Sequence, residues 1–315
     1  TLFPYTTLFR SRRRGTSGVR LAWCRCGSER RMAEVSSIAG YDVVCVLGQG
    51  ARSIIYGVTD ANHQRFALKQ VVRKEPKDQR FLDQAIQEHE IASQFDHALL
   101  RRSHKLIRQR ALIRTNEVLV LMEWVEGQAL DRATLNEPLE KVEIARQIAE
   151  GLGAMHEAGY VHADMKPSNV LLQDDGTIKL IDFGQSCPIG TVKERIQGTP
   201  DFIAPEQVMR REITPLTDVF NLGATLYWML TRRHVPTLMP KREPAVGLKP
   251  TDEGFPTPRE VDPLLPPALS SLVMQCLDRN PAGRPPNMKA VRDRLEISAV
   301  QFTRHGKSMH QQKTA

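Results

Sequence analysis

What most limits the fold of this chain is a change of hydrophobic period close to Gly127. Before it, from Tyr41, come the runs YDVVCVL, IIYGV and RFALKQVV, each short, rich in β-branched residues and set apart by turn material such as TDANHQ. That pattern predicts strands, and their succession predicts a three-stranded antiparallel start. The charged, proline-containing break RKEPKDQ leads into one expected helix over 78–95, whose Leu82, Ala85, Ile86, Ala92 and Phe95 share an apolar arc at about 100° per residue. Glu88 falls inside that arc and Glu90 outside it. Two more strand-like runs, RQRALIR and EVLVLMEW, flank a TN pair expected to form a hairpin turn. After Gly127 the spacing lengthens. LEKVEIARQIAEGLGAMHEAG repeats its apolar residues at Val142, Ala145, Ile148, Ala149, Leu152 and Met155, and Gly159 marks its end. Helical patterning returns in DVFNLGATLYWML (218–230), ALSSLVMQCLDRN and NMKAVRDRLEISAV, with a Pro-rich irregular loop expected from His234 to Pro267. The fold class expected is therefore α+β: a small antiparallel β-rich lobe with one helix, followed by a larger, mainly helical lobe. The boundaries expected are an extension over 32–40, the first lobe over 41–125, the second over 126–298 and a disordered tail over 299–315.

Charge adds less than it promises. A formal net charge of +8 and a pI near 9.4 would ordinarily point to nucleic acid or an anionic membrane. The excess, however, sits in residues 1–31, where Arg10, Arg12, Arg13, Arg14, Arg20, Arg25, Arg30 and Arg31 face the single acid Glu29. TLFPYTTLFRS reads as the in-frame translation of a sequencing-adapter oligonucleotide, and Met32 precedes the foldable part, so 1–31 is expected to be a non-native or disordered leader. No nucleic-acid partner is expected of the nearly neutral body. No membrane partner is expected either, since VLVLMEWV is far short of the roughly 20 apolar residues a bilayer needs and contains Glu123. Cys24 and Cys26 lie in the leader, and the scattered Cys45, Cys187 and Cys276 suit a reducing, cytoplasmic compartment better than a disulfide framework or a zinc site.

Three places carry chemistry. GQGARS (48–53) lies between two strand-like runs; a lone G-x-G is more often a turn than a phosphate site, but a glycine turn between strands can lay backbone N–H groups over a nucleotide. Lys69 ends the apolar run FALK, where it either pairs with Glu88 on the buried arc of the next helix or snorkels to solvent with Glu88 on a wet face. The segments VHADMKPSNV (161–170) and KLIDFGQS (179–186) have apolar flanks that suggest strands holding Asp164, Lys166, Asn169 and Asp182 rigidly. An acid beside a hydroxyl nucleophile, a lysine beside a transferred phosphoryl group, and an Asn with an Asp as oxygen ligands for magnesium are the parts phosphoryl transfer requires.

With these motifs in order, followed by GTPDFIAPE, DVFNLG and the late arginine of PAGRP, the chain resembles the eukaryotic-type (Hanks-type) serine/threonine protein kinase family over about residues 41–296. The resemblance implies a bilobal kinase fold with ATP and Mg2+ as cofactors and a protein serine or threonine hydroxyl as acceptor. It implies that Leu47, Gly48, Gln49, Gly50, Ala51, Arg52 and Ser53 cover the nucleotide, and that Lys69 meets its α and β phosphates while paired with Glu88. Adenine would lie between Ala67 with Val46 or Ile55 above and Leu171 below, and Met122 would stand before a hinge of Glu123, Trp124 and Val125. Asp164 would be the catalytic base, Lys166 would neutralise the γ-phosphate, and Asn169 and Asp182 would hold magnesium. Glu206 would pair with Arg284, and Asp218 would brace the catalytic loop.

Two departures from the family pattern stand out. Ala163 occupies the place where an arginine usually grips an activation-loop phosphate, which makes this a non-RD type and predicts that the loop takes its working shape without obligatory phosphorylation. Ser186, Thr191 and Thr199 are its candidate hydroxyls, Lys193 and Arg195 its local cations. Ala129 occupies a ribose position that is often polar, for which Gln128 or Asp131 could substitute. The alternatives to an active protein kinase are a nucleotide-binding pseudokinase or scaffold and a small-molecule phosphotransferase.

Overall fold

The computed structural model describes residues 37–50, 52–111, 114–236 and 254–313; the leader and Ala51 lie outside them. Six strands come first, β1 (Ser37–Ile38), β2 (Tyr41–Gln49), β3 (Ser53–Thr59), β4 (Arg65–Val72), β5 (Ser103–Ala111) and β6 (Arg114–Glu123), in the antiparallel order β1-β2-β3-β4-β6-β5. Period-two alternation sends their side chains to two faces. Val43, Tyr56, Val58, Leu68, Leu119 and Leu121 cluster on one. Ala67, Val71, Val118, Val120 and Met122 pack on the other against Leu82 and Ala85 of helix α1 (Gln79–Ala92). Helix α1 buries Glu88 along with Ile91 and Ala92, as the arc predicts, whereas Glu90 is exposed. Its span is shorter than 78–95 because Pro76–Asp78 forms a separate 3-10 turn and Ser93 caps the C-terminal end.

The expected TN turn is displaced. Thr115 and Asn116 belong to β6, whose Arg114 pairs with Ala111 of β5; residues 112 and 113 lie outside the described residues. Register is fixed by burial of Val118, Leu119, Val120 and Leu121, all at most 4% exposed, and not by the polar pair.

The second lobe is helical apart from short strand pairs. Its elements are β7 (Gln128–Ala129), α2 (Pro138–Glu157), β8 (Tyr160–Val161), β9 (Val170–Leu172), β10 (Ile178–Leu180), β11 (Cys187–Pro188), β12 (Thr191–Val192), α3 (Pro205–Val208), β13 (Glu212–Ile213), α4 (Pro215–Thr231), α5 (Pro258–Val261), α6 (Pro267–Cys276) and α7 (Met288–Lys313). One core gathers Val142, Ala145, Ile148, Leu152 and Met155 of α2 with Val219, Leu222, Leu226 and Met229 of α4 and Leu269, Leu272 and Val273 of α6. Helix α2 stops where the sequence places Gly159, whose φ of 84° is a left-handed conformation that glycine takes without penalty. Helix α4 begins before the apolar run because Thr214 caps it and Pro215 sits at its first position. That start places Asp218 in the first turn, where the helix dipole favours an anion. The tail expected to be disordered from 299 is instead a continuation of α7 to Lys313. No proline interrupts it, and Gln, Lys and Arg cost little in a helix.

Candidate functional site

The site forms at the seam, where short strands stop and their polar successors turn inward. Strand β8 ends at Val161, and His162 and Ala163 point their N–H groups at the fully buried carboxylate of Asp218, at 2.9 and 2.8 Å. His156 Nε2 adds a third contact at 2.8 Å. Burial would raise the Asp218 pKa, but the hydrogen bond from His156, nearby imidazole charge and the loop N–H groups hold it below the ordinary carboxylate range. These bonds keep Ala163 at φ 60°, a conformation that costs a non-glycine residue free energy and persists only where the surroundings over-determine it. Gln207 Nε2 donates to the Ala163 carbonyl at 2.8 Å, a support that no sequence pattern announces.

One residue further, Asp164 emerges half-buried. Its Oδ2 accepts from Lys166 Nζ at 2.7 Å and its Oδ1 from the Thr199 hydroxyl at 3.0 Å, while Lys166 Nζ also reaches Thr199 Oγ1 at 2.7 Å. The 3-10 turn Pro167–Asn169 swings Asn169 back so that its Nδ2 donates to the Asp164 carbonyl at 2.9 Å. That bond uses the NH2 group of the amide and leaves its oxygen able to accept or to ligate.

Strand β10 delivers Asp182 to the same place, again with a left-handed backbone, φ 65°. Across from it, Lys69 of β4 meets Glu88 of α1 at 2.5 Å. Of the two arrangements open to Lys69, the structure takes the buried pair. Burial depresses the Lys69 ammonium, but Glu88 and then Asp182 more than offset this and raise its pKa. Burial likewise pushes Asp182 up, and Lys69, His162 and Lys166 together bring it below the usual range. His162 and Phe183 pack as tilted rings with centroids 5.7 Å apart, and Phe183 continues to Phe95 at 5.8 Å, so a run of aromatic contacts joins the loop to the segment after α1.

Above these groups, Gly48, Gln49 and Gly50 lead through a turn closed by Gly50 N–H to Ser53 O at 2.7 Å. Leu47 and Ile55 are partly buried against the cluster that holds Ala67 and Met122, and Leu171 lies on β9 beneath. The Arg52 side chain is not drawn into the site: its Nε lies 3.1 Å from Asp78, whose carboxylate also caps the backbone at Lys74 and Glu75. Glu123 likewise turns its carboxylate away, to Lys179 at 2.7 Å and to the Arg102 N–H. Val125 follows in the connection between lobes, where the ring of Trp124 leans on Gly57 of β3. A methyl group at Gly57 would sit 2.3 Å from that ring and 2.9 Å from the Cys45 sulfur.

The segment after Asp182 is fastened at its far end by Arg284, whose buried guanidinium reaches both oxygens of Glu206 at 2.8 and 3.0 Å and the Leu216 carbonyl at 2.8 Å. Of the candidate hydroxyls, Ser186 is buried and donates to the His162 carbonyl, and Thr199 is committed to Asp164; Thr191 is the one at the rim. Lys193 spans back to the Gln185 carbonyl at 2.5 Å. Burial lowers its pKa and raises that of neighbouring Cys187, which marks the latter as an ordinary packed thiol.

Among the described residues no cluster of three or more His, Cys, Asp or Glu could hold a metal by itself. Asn169 and Asp182 offer the oxygen donors that suit Mg2+, an ion usually bound through one or two carboxylates together with substrate phosphates. The donor set fits that ion.

A twisted strand lobe over a helical lobe, with an acid, a lysine pair and oxygen donors meeting at the seam, defines a bilobal kinase-type fold. The family model described as the protein kinase domain matches residues 41–295. This chain belongs to the protein kinase family. The relatives it matches are named serine/threonine-protein kinases. It is 31% identical to the serine/threonine-protein kinase STE20 of Debaryomyces hansenii over 204 residues, 60% of this chain and 18% of that protein. It is 32% identical to the serine/threonine-protein kinase PknL of Mycobacterium tuberculosis over 191 residues, 58% and 47% of the two chains. Against a probable serine/threonine-protein kinase of Clostridium acetobutylicum it is 26% identical over 264 residues, 81% and 39%. The chain thus spans less than half the length of these relatives. Among the described residues no helix is long and apolar enough to cross a membrane.

Proposed function

We propose that this chain transfers the γ-phosphoryl group of ATP to a serine or threonine hydroxyl of a protein substrate. The observation that carries the reading is the triangle of Asp164, Lys166 and Thr199, closed by contacts of 2.7, 2.7 and 3.0 Å, facing the Lys69–Glu88 pair and Asp182. The acceptor hydroxyl enters beside Asp164, which takes its proton as the new O–P bond forms and the bond from the γ-phosphorus to the β,γ-bridging oxygen breaks, leaving ADP. Lys166 neutralises the charge that stays on the transferred group, and Lys69, steadied by Glu88, holds the α and β phosphates. Gly48, Gln49 and Gly50 offer backbone N–H groups from above, while Ala67, Ile55, Met122 and Leu171 supply apolar walls for the base. Asn169 and Asp182 would hold Mg2+, which when bound neutralises phosphate charge.

Ala163 in place of arginine supports the non-RD reading. With no guanidinium there to receive a phosphate, Lys193 ties the loop to the Gln185 carbonyl directly, and the loop holds its shape unphosphorylated. Among the described residues Cys45, Cys187 and Cys276 are buried with no disulfide between them, which suits a reducing, cytoplasmic setting. The test is transfer of radiolabel from ATP to a generic basic protein by the wild type and by Asp164→Ala, using protein shown by mass spectrometry to carry no phosphate on Thr191. Label incorporated by the wild type alone is the expected result. Equal, negligible incorporation by both makes the chain a scaffold, and activity that appears only after Thr191 is phosphorylated overturns the reading of Ala163.

A further inference from the structure

We infer that Gln207 is a positioning residue of the transfer reaction: its one buried carboxamide holds the chain just before Asp164 and just before Thr199, and so sets the contact between the acid and the strip that faces it. The inference rests on the kinase reading above.

Gln207 follows Glu206 on the short helix α3 and is only 3% exposed. A carboxamide has two N–H donors and two acceptor lone pairs, and here all four are used. Nε2 donates to the Ala163 carbonyl at 2.8 Å and to the Gln197 carbonyl at 3.3 Å. Oε1 accepts from the Ala204 N–H at 2.9 Å and from Asn221 Nδ2 of α4 at 3.2 Å. Ala163 immediately precedes Asp164, and Gln197 lies just ahead of Thr199. Between Gln197 and Thr199 stands Gly198 at φ 137°, a backbone conformation that favours glycine, and a methyl group added there would lie 3.4 Å from Nε2 of Gln207. Asp164 and Thr199 themselves meet at 3.0 Å. One amide therefore anchors the backbone on both sides of that contact.

The oxygen half of the amide faces the scaffold. Asn221 Nδ2 also donates to the Phe202 carbonyl at 2.6 Å, so α4 reaches the same strip a second time. Asp218, one turn earlier on α4, holds the Ala163 N–H at 2.8 Å. Ala163, kept at φ 60°, thus has its N–H fixed by one side chain and its carbonyl by another, and the strip carrying Thr199 shares the second. The arrangement has a cost, because Asn221 Oδ1 is buried with no hydrogen-bond partner among the described residues. Apolar residues at both positions would avoid that cost but would leave the Ala163 and Gln197 carbonyls without these donors. Since the amide is neutral, it orders the loop without adding charge beside the acid that must accept a proton.

The test measures transfer of label from ATP to a generic basic protein by the full chain, as initial rates over an ATP series, with a melting temperature for each variant: wild type, Gln207→Met, Thr199→Val and the two combined. Methionine keeps the length of the side chain and supplies no donor. In Gln207→Met kcat falls about tenfold, the scale of a lost hydrogen bond with its orphaned carbonyl. KM for ATP stays within about twofold, because Lys69 and the adenine walls hang from other elements. Thr199→Val removes the hydroxyl whose place Gln207 sets, so the double variant loses at least about fivefold less than the product of the two single losses, as residues of one network do. Gln207→Asn keeps the amide but is one methylene too short to span Ala163 and Ala204; it follows Gln207→Met and replaces it should that variant fail to fold. A double variant that loses the full product, or Gln207 variants with wild-type kcat and only a lowered melting temperature, reduces Gln207 to packing and overturns the inference alone. A wild type that transfers no label overturns the kinase reading, and the inference with it.

Discussion

Replacing Asp218 by asparagine changes one atom of a buried side chain, and its cost can be worked out from the contacts. Asp218 Oδ2 accepts from the His162 N–H and His156 Nε2, and Oδ1 from the Ala163 N–H. An asparagine has one oxygen and one NH2 group, so either orientation sets a donor against a backbone N–H at 2.8 or 2.9 Å. If the oxygen faces Ala163, the His162 N–H is orphaned; in the other orientation it is Ala163, the residue held at φ 60°, that is released. Each lost bond to the charged group is worth about 1.5–3 kcal/mol, with the orphaned N–H adding to it, so Asp218→Asn should destabilise the chain by roughly 3–5 kcal/mol. The functional effect is directional. Ala163 immediately precedes Asp164, whereas the adenine walls and Lys69 hang from other elements, so kcat should fall at least about tenfold while KM for ATP stays within about twofold, the pattern of a lost transition-state contact. Urea unfolding gives the first number and initial rates over an ATP series the second. A variant with an unfolding midpoint and kcat equal to wild type would refute the claim that this carboxylate holds the loop.

Other outcomes follow from the same geometry. Arg284→Met leaves Glu206 buried without its partner and should cost about 3–5 kcal/mol in urea unfolding, whereas truncating both partners together should cost distinctly less; equal losses would contradict this account. Gly57→Ala drives a methyl group to 2.3 Å from the Trp124 ring and should cost about 1–3 kcal/mol while raising KM for ATP more than it lowers kcat, because the ring belongs to the hinge. For pH the sign is set by Asp218 and Asp182, whose pKa values are held below the ordinary 3.8. The unfolded chain takes up protons first, so their stabilisation is complete above that value and is lost as pH falls through the folded ones; the wild type should show a steeper loss of stability below about pH 4 than Asp218→Asn, as followed by circular dichroism.

Much of this molecule was legible in residues alone, and unevenly so. The strand lobe announces itself because its faces alternate cleanly, and α1 because one arc is apolar; Glu88 was visible as the discordant member of that arc. Asp164, Lys166, Asn169 and Asp182 stand out in the sequence because two short polar segments with apolar flanks carry them, and the structure brings those segments together at the seam. What escaped was support supplied from a distance. Gln207 reaches Ala163 across 44 positions and His156 reaches Asp218 across 62, and no local pattern encodes either. Arg52 was placed over the nucleotide with its neighbours because it shares their turn, yet its side chain answers to Asp78. The displaced hairpin turn reflects burial in β6, which outweighs the polar pair that suggests a turn, and α7 continues through a stretch that holds no proline.

A single hydroxyl has a wider meaning. Thr199 sits in the strip of chain expected to receive the peptide, yet its oxygen touches both Asp164 and Lys166. On the function proposed above, platform and proton acceptor are interlocked: should the strip carrying Thr199 slip, Asp164 and Lys166 lose their common brace at the same instant. An enzyme assembled this way checks that its substrate has a seat before the reaction can fire.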